Sequence, residues 1–385
     1  MKLYKQIHSY VSRLPLPQRI GVFVVLFLLV LSLPLAIVVL QHQQQTPPQP
    51  QPTQQPTQQQ ATGTSGTFAA TYAANIEYDP NEGYGTYNAT NLASPTINAI
   101  DINMNWSAVE PEQGVFNWSP ADNAIAAWAG KGKKFVLVLR YIHEVSANSF
   151  NGCNDNQQYL PTWEIARIPT YCDFDKNTVI PDYFDPRFKA DLKAYVQAVA
   201  DHIANSPYHN NLAYVRVGMG VGGEGFYLYG IGQDCGTGNN CDFQTDKHQL
   251  ITRGYTPQNW AAWQEEMLTA AKNAFSYAQL IYPLVQQDTD PTTGQPVDME
   301  VAYWAAAQGI GVGEQGLTPT NDFSYAKLNV ILPYIHTHYP QTYIQFQTVA
   351  GVRSARTIQG DIQTAEQYGA CSIEWYANVA ANPAY

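Results

Sequence analysis

The residues best placed to do chemistry are scattered glutamates that stand among apolar or glycine-rich neighbours. Glu224 ends an apolar run in AYVRVGMGVGGEGF (213–226), crowded by glycines. Glu314 lies in GVGEQG, flanked the same way, and Glu374 sits beside Trp375 inside the strand-like run CSIEWYA. An acid next to glycine meets little steric bulk, so a ligand can approach its backbone closely. Phe226, Tyr227 and Tyr229 follow Glu224. Aromatic cover of that kind desolvates a carboxyl, raises its pKa and makes it a proton donor at neutral pH. An ionisable group within an apolar strand, as Glu374 is, should face a polar pocket rather than core. Glu300 and Glu144 are further acids near predicted strands. Paired carboxyls of this type suit general acid–base chemistry, which needs no metal or organic cofactor.

Composition narrows the ligand. The chain has 385 residues and a formal charge of −11, with only 13 % charged residues but 26 Tyr and 8 Trp. An acidic chain is a poor match for nucleic acid, whose phosphates require a Lys/Arg surface. A surface poor in charge and rich in Tyr, Trp, Asn and Gln suits neutral polar ligands such as sugars. Five cysteines are present. Cys153 with Cys172, and Cys235 with Cys241, flank two polar loops and are candidates for disulfides, leaving Cys371 alone. They lack the CxxC spacing and nearby histidines of a zinc site, and no convergent His/Asp set marks Glu224 as a metal ligand.

Elements must position these groups. Residues 20–40, IGVFVVLFLLVLSLPLAIVVL, carry no charge and are long enough to span a bilayer. Lys2, Lys5, Arg13 and Arg19 precede them, which places residues 1–19 in the cytoplasm and the rest outside. The alternative is a cleaved signal peptide, but QHQQQT follows directly with no small-residue cleavage site. The expectation is a single-pass cell-membrane protein with its folded part extracellular. Residues 41–67, rich in Gln, Pro and Thr, read as a disordered tether. From residue 68 to 385, eight short apolar runs read as strands: 68–76, 96–106, 133–141, 211–220, 297–304, 309–313, 342–350 and 370–377. Helical patterns stand between most of them, including SPADNAIAAWAGKG with Ser119 as N-cap and DPRFKADLKAYVQAVADHIANS with apolar residues from Phe188 to Ile203 at helical spacing. The pattern predicts an α/β fold, a (β/α)8 TIM barrel, with an open doubly wound sheet as the alternative. In a barrel, Glu224 stands at the mouth after strand four, and both cysteine loops rise at the same face.

A family resemblance attaches to these residues. The W-x-x-V-E-P-E-x-G-x-F-x-W run beginning at Trp106, its following helix and the strand KKFVLVLRY resemble the second and third barrel strands of clan A glycoside hydrolases. The stretch is most similar to the N-terminal domain of family 42 β-galactosidases and uncharacterised relatives. The resemblance covers about residues 96–230. It implies a carbohydrate substrate and an acid/base role for Glu224 at the end of strand four. Glu110 it implies to be an orienting residue, not a catalytic one. It also implies a nucleophile at the end of strand seven, where this chain has only the amides Gln345 and Gln347. Glu374, then Glu314, are the candidates for the missing partner. Arg140, His143, Tyr227, Trp304, Gln347 and Trp375 complete the candidate substrate-binding set, while Trp106 and Trp118 read as packing. The alternative to a membrane-anchored glycosidase is a carbohydrate-binding barrel without catalysis, motivated by those strand-seven amides.

Overall fold

Alternation along two strands sets the architecture. Every residue of AIDINMN, Ala99–Asn105, is buried, and so is the centre of KFVLVLR, Lys134–Arg140. Burial on both faces is what parallel strands covered by helices require. The computed structural model describes residues 77–78, 93, 97–142, 153, 158–173, 178–227, 243–285, 287–317, 328–348 and 355–375. They form an eight-stranded sheet whose strands are in sequence order: β1 Glu77–Tyr78, β2 Ala99–Asn105, β3 Lys134–Arg140, β4 Leu212–Arg216, β5 Leu280–Leu284, β6 Gly311–Leu317, β7 Ile344–Thr348 and β8 Ser372–Glu374. All neighbouring pairs are parallel.

The sheet is strongly curled. Tyr214 and Arg216 on β4 both reach Glu374 on β8, at 2.8 and 2.6 Å. In a flat sheet, four strand spacings of about 4.8 Å would hold those strands about 19 Å apart. The expected barrel architecture is therefore seen as a curled parallel sheet of TIM-like α/β type.

Two apolar layers follow from the pleat. Ile102, Met104, Leu137, Leu139 and Val215 face the helices in the main core, while Ala99, Val136, Val138, Tyr214 and Ile281 form a separate inner cluster. The inner face also carries polar side chains: Asp101, Asn103 and Asn105 share the face of Ala99 and are all buried. The helix Pro186–Ala204 starts with Asp185, whose carboxylate accepts from the Arg187 amide, and with Pro186 in the first turn. It buries Phe188, Leu192, Tyr195, Val196, Val199 and Ile203, the spacing expected from sequence. Tyr195 stacks on Trp106 at 5.2 Å and its hydroxyl donates to the Met104 carbonyl.

Several expectations need correction. VDMEVAYW is not a strand: Val297–Ala307 is a helix. Pro296 stands at its N-cap position, Asp298 and Glu300 lie in its first turn, and the alanines that follow extend it. The fifth strand is instead LIYPL, Leu280–Leu284, directly after the helix Pro257–Ala274. Ser119 is the first residue of its helix, and Trp118 is the N-cap position. The predicted strand 68–76, the segment 20–40 and the linker 41–67 lie outside the described residues. Among the described residues, no helix is long and apolar enough to cross a membrane. Cys153 and Cys172 form a disulfide beside the antiparallel hairpin Thr170–Asp173/Thr178–Pro181. Cys235 and Cys241 lie outside the described residues, and Cys371 is a free, exposed thiol.

Candidate active site

Glu224 stands where β4 gives way to a glycine turn, and the turn explains the glycines. After Arg216 the chain runs into a single 3₁₀ turn, Val221–Gly223. The Gly222 amide donates to the Ile142 carbonyl at 3.0 Å, and the Val221 amide to the Phe226 carbonyl at 2.9 Å. The segment therefore folds back on itself and leans on the end of β3. A Cβ on Gly218 would overlap the Gly223 carbonyl. Gly223 has φ +76°, and a Cβ there would come within 2.9 Å of the Leu139 carbonyl and 3.0 Å of Arg140 Cγ. Neither position admits a side chain. Glu224 follows in extended conformation, half-buried.

The turn is propped from the β5 side. Gln287 accepts from Gln264 Nε2 at 3.1 Å and donates to Tyr282 Oη at 3.0 Å, and Tyr282 donates to Gln264 at 2.9 Å. Tyr227 is fully buried. Its hydroxyl donates to Asp288 Oδ2 at 3.0 Å, and its carbonyl accepts from Tyr183. Tyr255 and Lys247 also bind Asp288 Oδ2, at 3.0 and 2.7 Å. Tyr227 thus ties the Glu224 loop to the scaffold.

Glu374 is held from two sides within the curled sheet. It is 1 % exposed, accepts from Tyr214 Oη at 2.8 Å, and pairs with Arg216 Nη1 at 2.6 Å. The same Arg216 nitrogen donates to Gln347 Oε1 at 3.1 Å. Arg216 also feels the charges of Asp101, Arg140 and Glu224. It is the hub that sequence reading missed. The signal was there: an arginine inside the apolar run YVRVG must find a buried partner.

Glu314 behaves differently. It is 4 % exposed and its Oε2 has no hydrogen-bond partner among the described residues. Burial pushes its carboxyl up to about 8, and the charge of Glu224 adds to the rise, against backbone hydrogen bonds from Gly316 and Gln315. So Glu314 is protonated at neutral pH and lies within electrostatic reach of Glu224.

The other candidates separate. Arg140 ends β3 against Gly223. Trp375 is buried in the hydrophobic core, on the opposite side from Glu374. Trp304 belongs to the helix Val297–Ala307 and packs against the core, so it does not sit on a strand. Glu300 is in the first turn of that helix and accepts from Thr293. His143 and Glu144 lie outside the described residues. Glu110 accepts from Trp106 Nε1 at 2.7 Å and from the Gly114 amide at 2.8 Å, a structural pairing. Trp118 stacks between Phe116 and His202. Among the described residues, no group of three or more His, Cys, Asp or Glu is arranged to hold a metal ion.

No family model and no curated protein sequence matches the chain. Solved structures do. The catalytic domain of β-amylase from Paenibacillus polymyxa is similar with a TM-score of 0.50 at 11 % identity, over 76 % of this chain and 89 % of that one. An exo-β-1,4-mannosidase from an Opitutaceae bacterium gives 0.45 at 14 % identity, over 74 % and 47 %. Xylanase 10B from Thermotoga maritima gives 0.42 at 14 %, over 74 % and 76 %. The similarity to the β-amylase domain is one of fold, and it agrees with the curled parallel sheet.

Proposed function

We propose that this chain is a glycoside hydrolase whose carboxyl pair is Glu224 and Glu314. One observation carries the reading: Glu314 on β6 is buried with its Oε2 unpartnered among the described residues and feels the charge of Glu224 on the turn after β4, surroundings that favour its protonated form. A buried carboxyl held protonated near a second carboxyl lets the two divide the work of acid and base. Glu314 donates its proton to the leaving glycosidic oxygen. Glu224, half-buried at the turn, is the ionised partner that attacks the anomeric carbon or activates water. This exchanges the roles expected from sequence. Glu374, with both oxygens engaged by Tyr214 and Arg216, fixes Arg216 and Gln347 rather than meeting substrate. The fold shared with a β-amylase catalytic domain supports action on glycosidic bonds.

The finer reading rests on sequence. The W-x-x-V-E-P-E run supports a β-galactosidase-like specificity. Residues 20–40, with basic residues before them and a Gln/Pro/Thr-rich stretch after, support a membrane anchor that presents the enzyme outside the cell.

A panel of 4-nitrophenyl glycosides, β-D-galactoside included, tests the activity. Glu224→Gln and Glu314→Gln should each lower kcat by about 100-fold or more. Turnover unaffected by either change overturns that residue's role. Activity should also fall as pH rises through about 8, where Glu314 loses its proton, and Glu314→Gln should remove that limb from any residual rate. A second reading, carbohydrate binding without catalysis, is favoured by the neutral amides Gln345 and Gln347 on β7. Glycan binding with no turnover across the panel would select it.

A further inference from the structure

The turn that carries Glu224 has little stiffness of its own. Five of the eight residues from Gly218 to Gly225 are glycine, which accepts left- and right-handed backbone alike. Contacts outside the turn must therefore hold Glu224 in place. Upstream, the Gly222 amide is held by the Ile142 carbonyl at 3.0 Å. Downstream, the first polar side chain is that of Tyr227. It is fully buried, its ring packs on Tyr255 at 4.4 Å and on Trp260 at 5.9 Å, and its carbonyl accepts from Tyr183 Oη at 2.9 Å.

The Tyr227 hydroxyl ends on a shared acceptor. Asp288 Oδ2 accepts from Tyr227 Oη at 3.0 Å, from Tyr255 Oη at 3.0 Å and from Lys247 Nζ at 2.7 Å. Hydrogen bonds to an ionised acceptor are the strong ones. Burial and the Asp288 charge hold the Tyr227 hydroxyl well above the ordinary tyrosine range, so it remains a donor. Asp288 is itself anchored: its carbonyl accepts from the Val297 amide at 2.9 Å, where the helix Val297–Ala307 begins. One carboxylate oxygen thus joins the Glu224 loop to the start of that helix and to the helix Phe243–Thr252, which carries Lys247.

We propose that Asp288 is a positioning residue for Glu224, acting through Tyr227. Tyr227, buried and with its hydroxyl committed, sets the place of the loop rather than meeting substrate. This rests on the assignment of Glu224 to the chemistry above. Tyr255 supplies the comparison that isolates the effect. It gives the same oxygen a bond of the same length and is also buried, but it lies outside the Glu224 loop.

The test measures kcat, KM and Tm for the full-length chain and for Asp288→Asn, Tyr227→Phe and Tyr255→Phe, with the 4-nitrophenyl glycoside that is turned over fastest. Asp288→Asn and Tyr227→Phe should each lower kcat about tenfold with KM within about twofold, the pattern of a displaced catalytic group. The double variant should be no slower than the slower single one, because both changes break the same link. Tyr255→Phe should lower Tm as Tyr227→Phe does, since each strips one buried hydrogen bond from the same acceptor, yet keep kcat within about twofold. Hydrogen exchange at the Gly222 amide should quicken about tenfold in Asp288→Asn and Tyr227→Phe, and not in Tyr255→Phe. Equal kcat losses in the two Phe variants mark a general loss of packing and overturn the proposal. So does a raised KM with unchanged kcat in Tyr227→Phe, which marks a substrate contact, and so do unchanged kinetics in both Asp288→Asn and Tyr227→Phe. If Asp288→Asn does not fold, the two Phe variants decide. Turnover that survives Glu224→Gln sinks the role of Glu224 and this proposal with it. A wild type that turns over no glycoside sinks the glycosidase reading alone; the exchange rates then judge the link, and equal rates in all three variants overturn it.

Discussion

Glu314→Gln should make the protein more resistant to alkali while removing its activity. The native carboxyl is held near 8 by burial and by the Glu224 charge, whereas an unfolded glutamate titrates near about 4.3. The folded pKa is raised, so Glu314 favours the native state most fully below about pH 4.3. That contribution is lost progressively as pH climbs to about 8, because the unfolded chain releases a proton that the native chain retains. At about 1.4 kcal/mol for each unit, the window corresponds to a loss of about 5 kcal/mol between its ends, most of it already gone at pH 7. Glutamine does not titrate, so the variant lacks this component. The stability of the variant relative to wild type should therefore rise by about 5 kcal/mol from pH 4 to pH 8.5. With about 2 °C per kcal/mol for a unit of this size, that is a divergence in Tm of about 10 °C. Thermal melts followed by circular dichroism at half-unit pH steps measure it. All other groups titrate alike in both proteins and cancel in the difference. Two Tm-versus-pH curves that run parallel to within about 1 °C would refute both the burial account of Glu314 and its assignment as proton donor.

Other outcomes follow from the same structure. Glu164 is fully buried beside Asp191, and burial with the Asp191 charge pushes it up to about 8. Glu164→Gln should thus also remove a loss of stability that runs from about pH 4.3 to about pH 8, yet leave kcat/KM unchanged; a lower kcat/KM would place this cluster in the active machinery. Arg216→Met or Glu374→Leu alone should cost about 3–5 kcal/mol, and the two together far less, since only the single changes strand a buried charge. Urea unfolding of the four proteins reads the coupling, and simple additivity would refute the pairing. The Cys153–Cys172 disulfide closes a loop with a sequence separation of 19; its removal as Cys153→Ser/Cys172→Ser should lower stability by about 3 kcal/mol, and denaturation midpoints with and without reductant check it.

Long, strongly patterned elements were legible in the sequence. The helix Pro186–Ala204 and strands β2, β3, β4 and β7 declare themselves because burial imposes a period of 3.6 or a continuous apolar run. The exchange at the fifth strand shows the limit. In VDMEVAYW, the residues Val297, Met299, Val301 and Tyr303 alternate like a strand, but Pro296 and the early acids favour a helix start, and packing chose the helix. LIYPL is a five-residue run that contains Pro283, and the helical pattern from Pro257 reads on through FSYAQ to meet it, although the helix itself ends at Ala274. At the site, Glu224, Glu314 and Glu374 stood out as acids in apolar company. That Glu374 is tied to Arg216 while Glu314 is not depends on registry across the curled sheet, which local sequence does not carry. The polar alternation Asp101, Asn103, Asn105 was visible in TINAIDINMNW as an inward polar face, and it passed unread because the intervening residues alone satisfied a strand pattern.

The tie between Arg216 and Glu374 also bears on how the molecule comes into being. Its partners are 158 residues apart in the chain. During synthesis, at about 5–20 residues per second, the arginine emerges many seconds before the carboxylate that neutralises it. Until then, completing the interior around β4 would enclose an uncompensated cation, a state strongly disfavoured. The part of the chain before β8 is thereby kept from closing prematurely, and β8 supplies the carboxylate that permits closure. A chain ending at Ala370 would lack β8, and limited proteolysis should find it open and protease-sensitive where the longer chain is not.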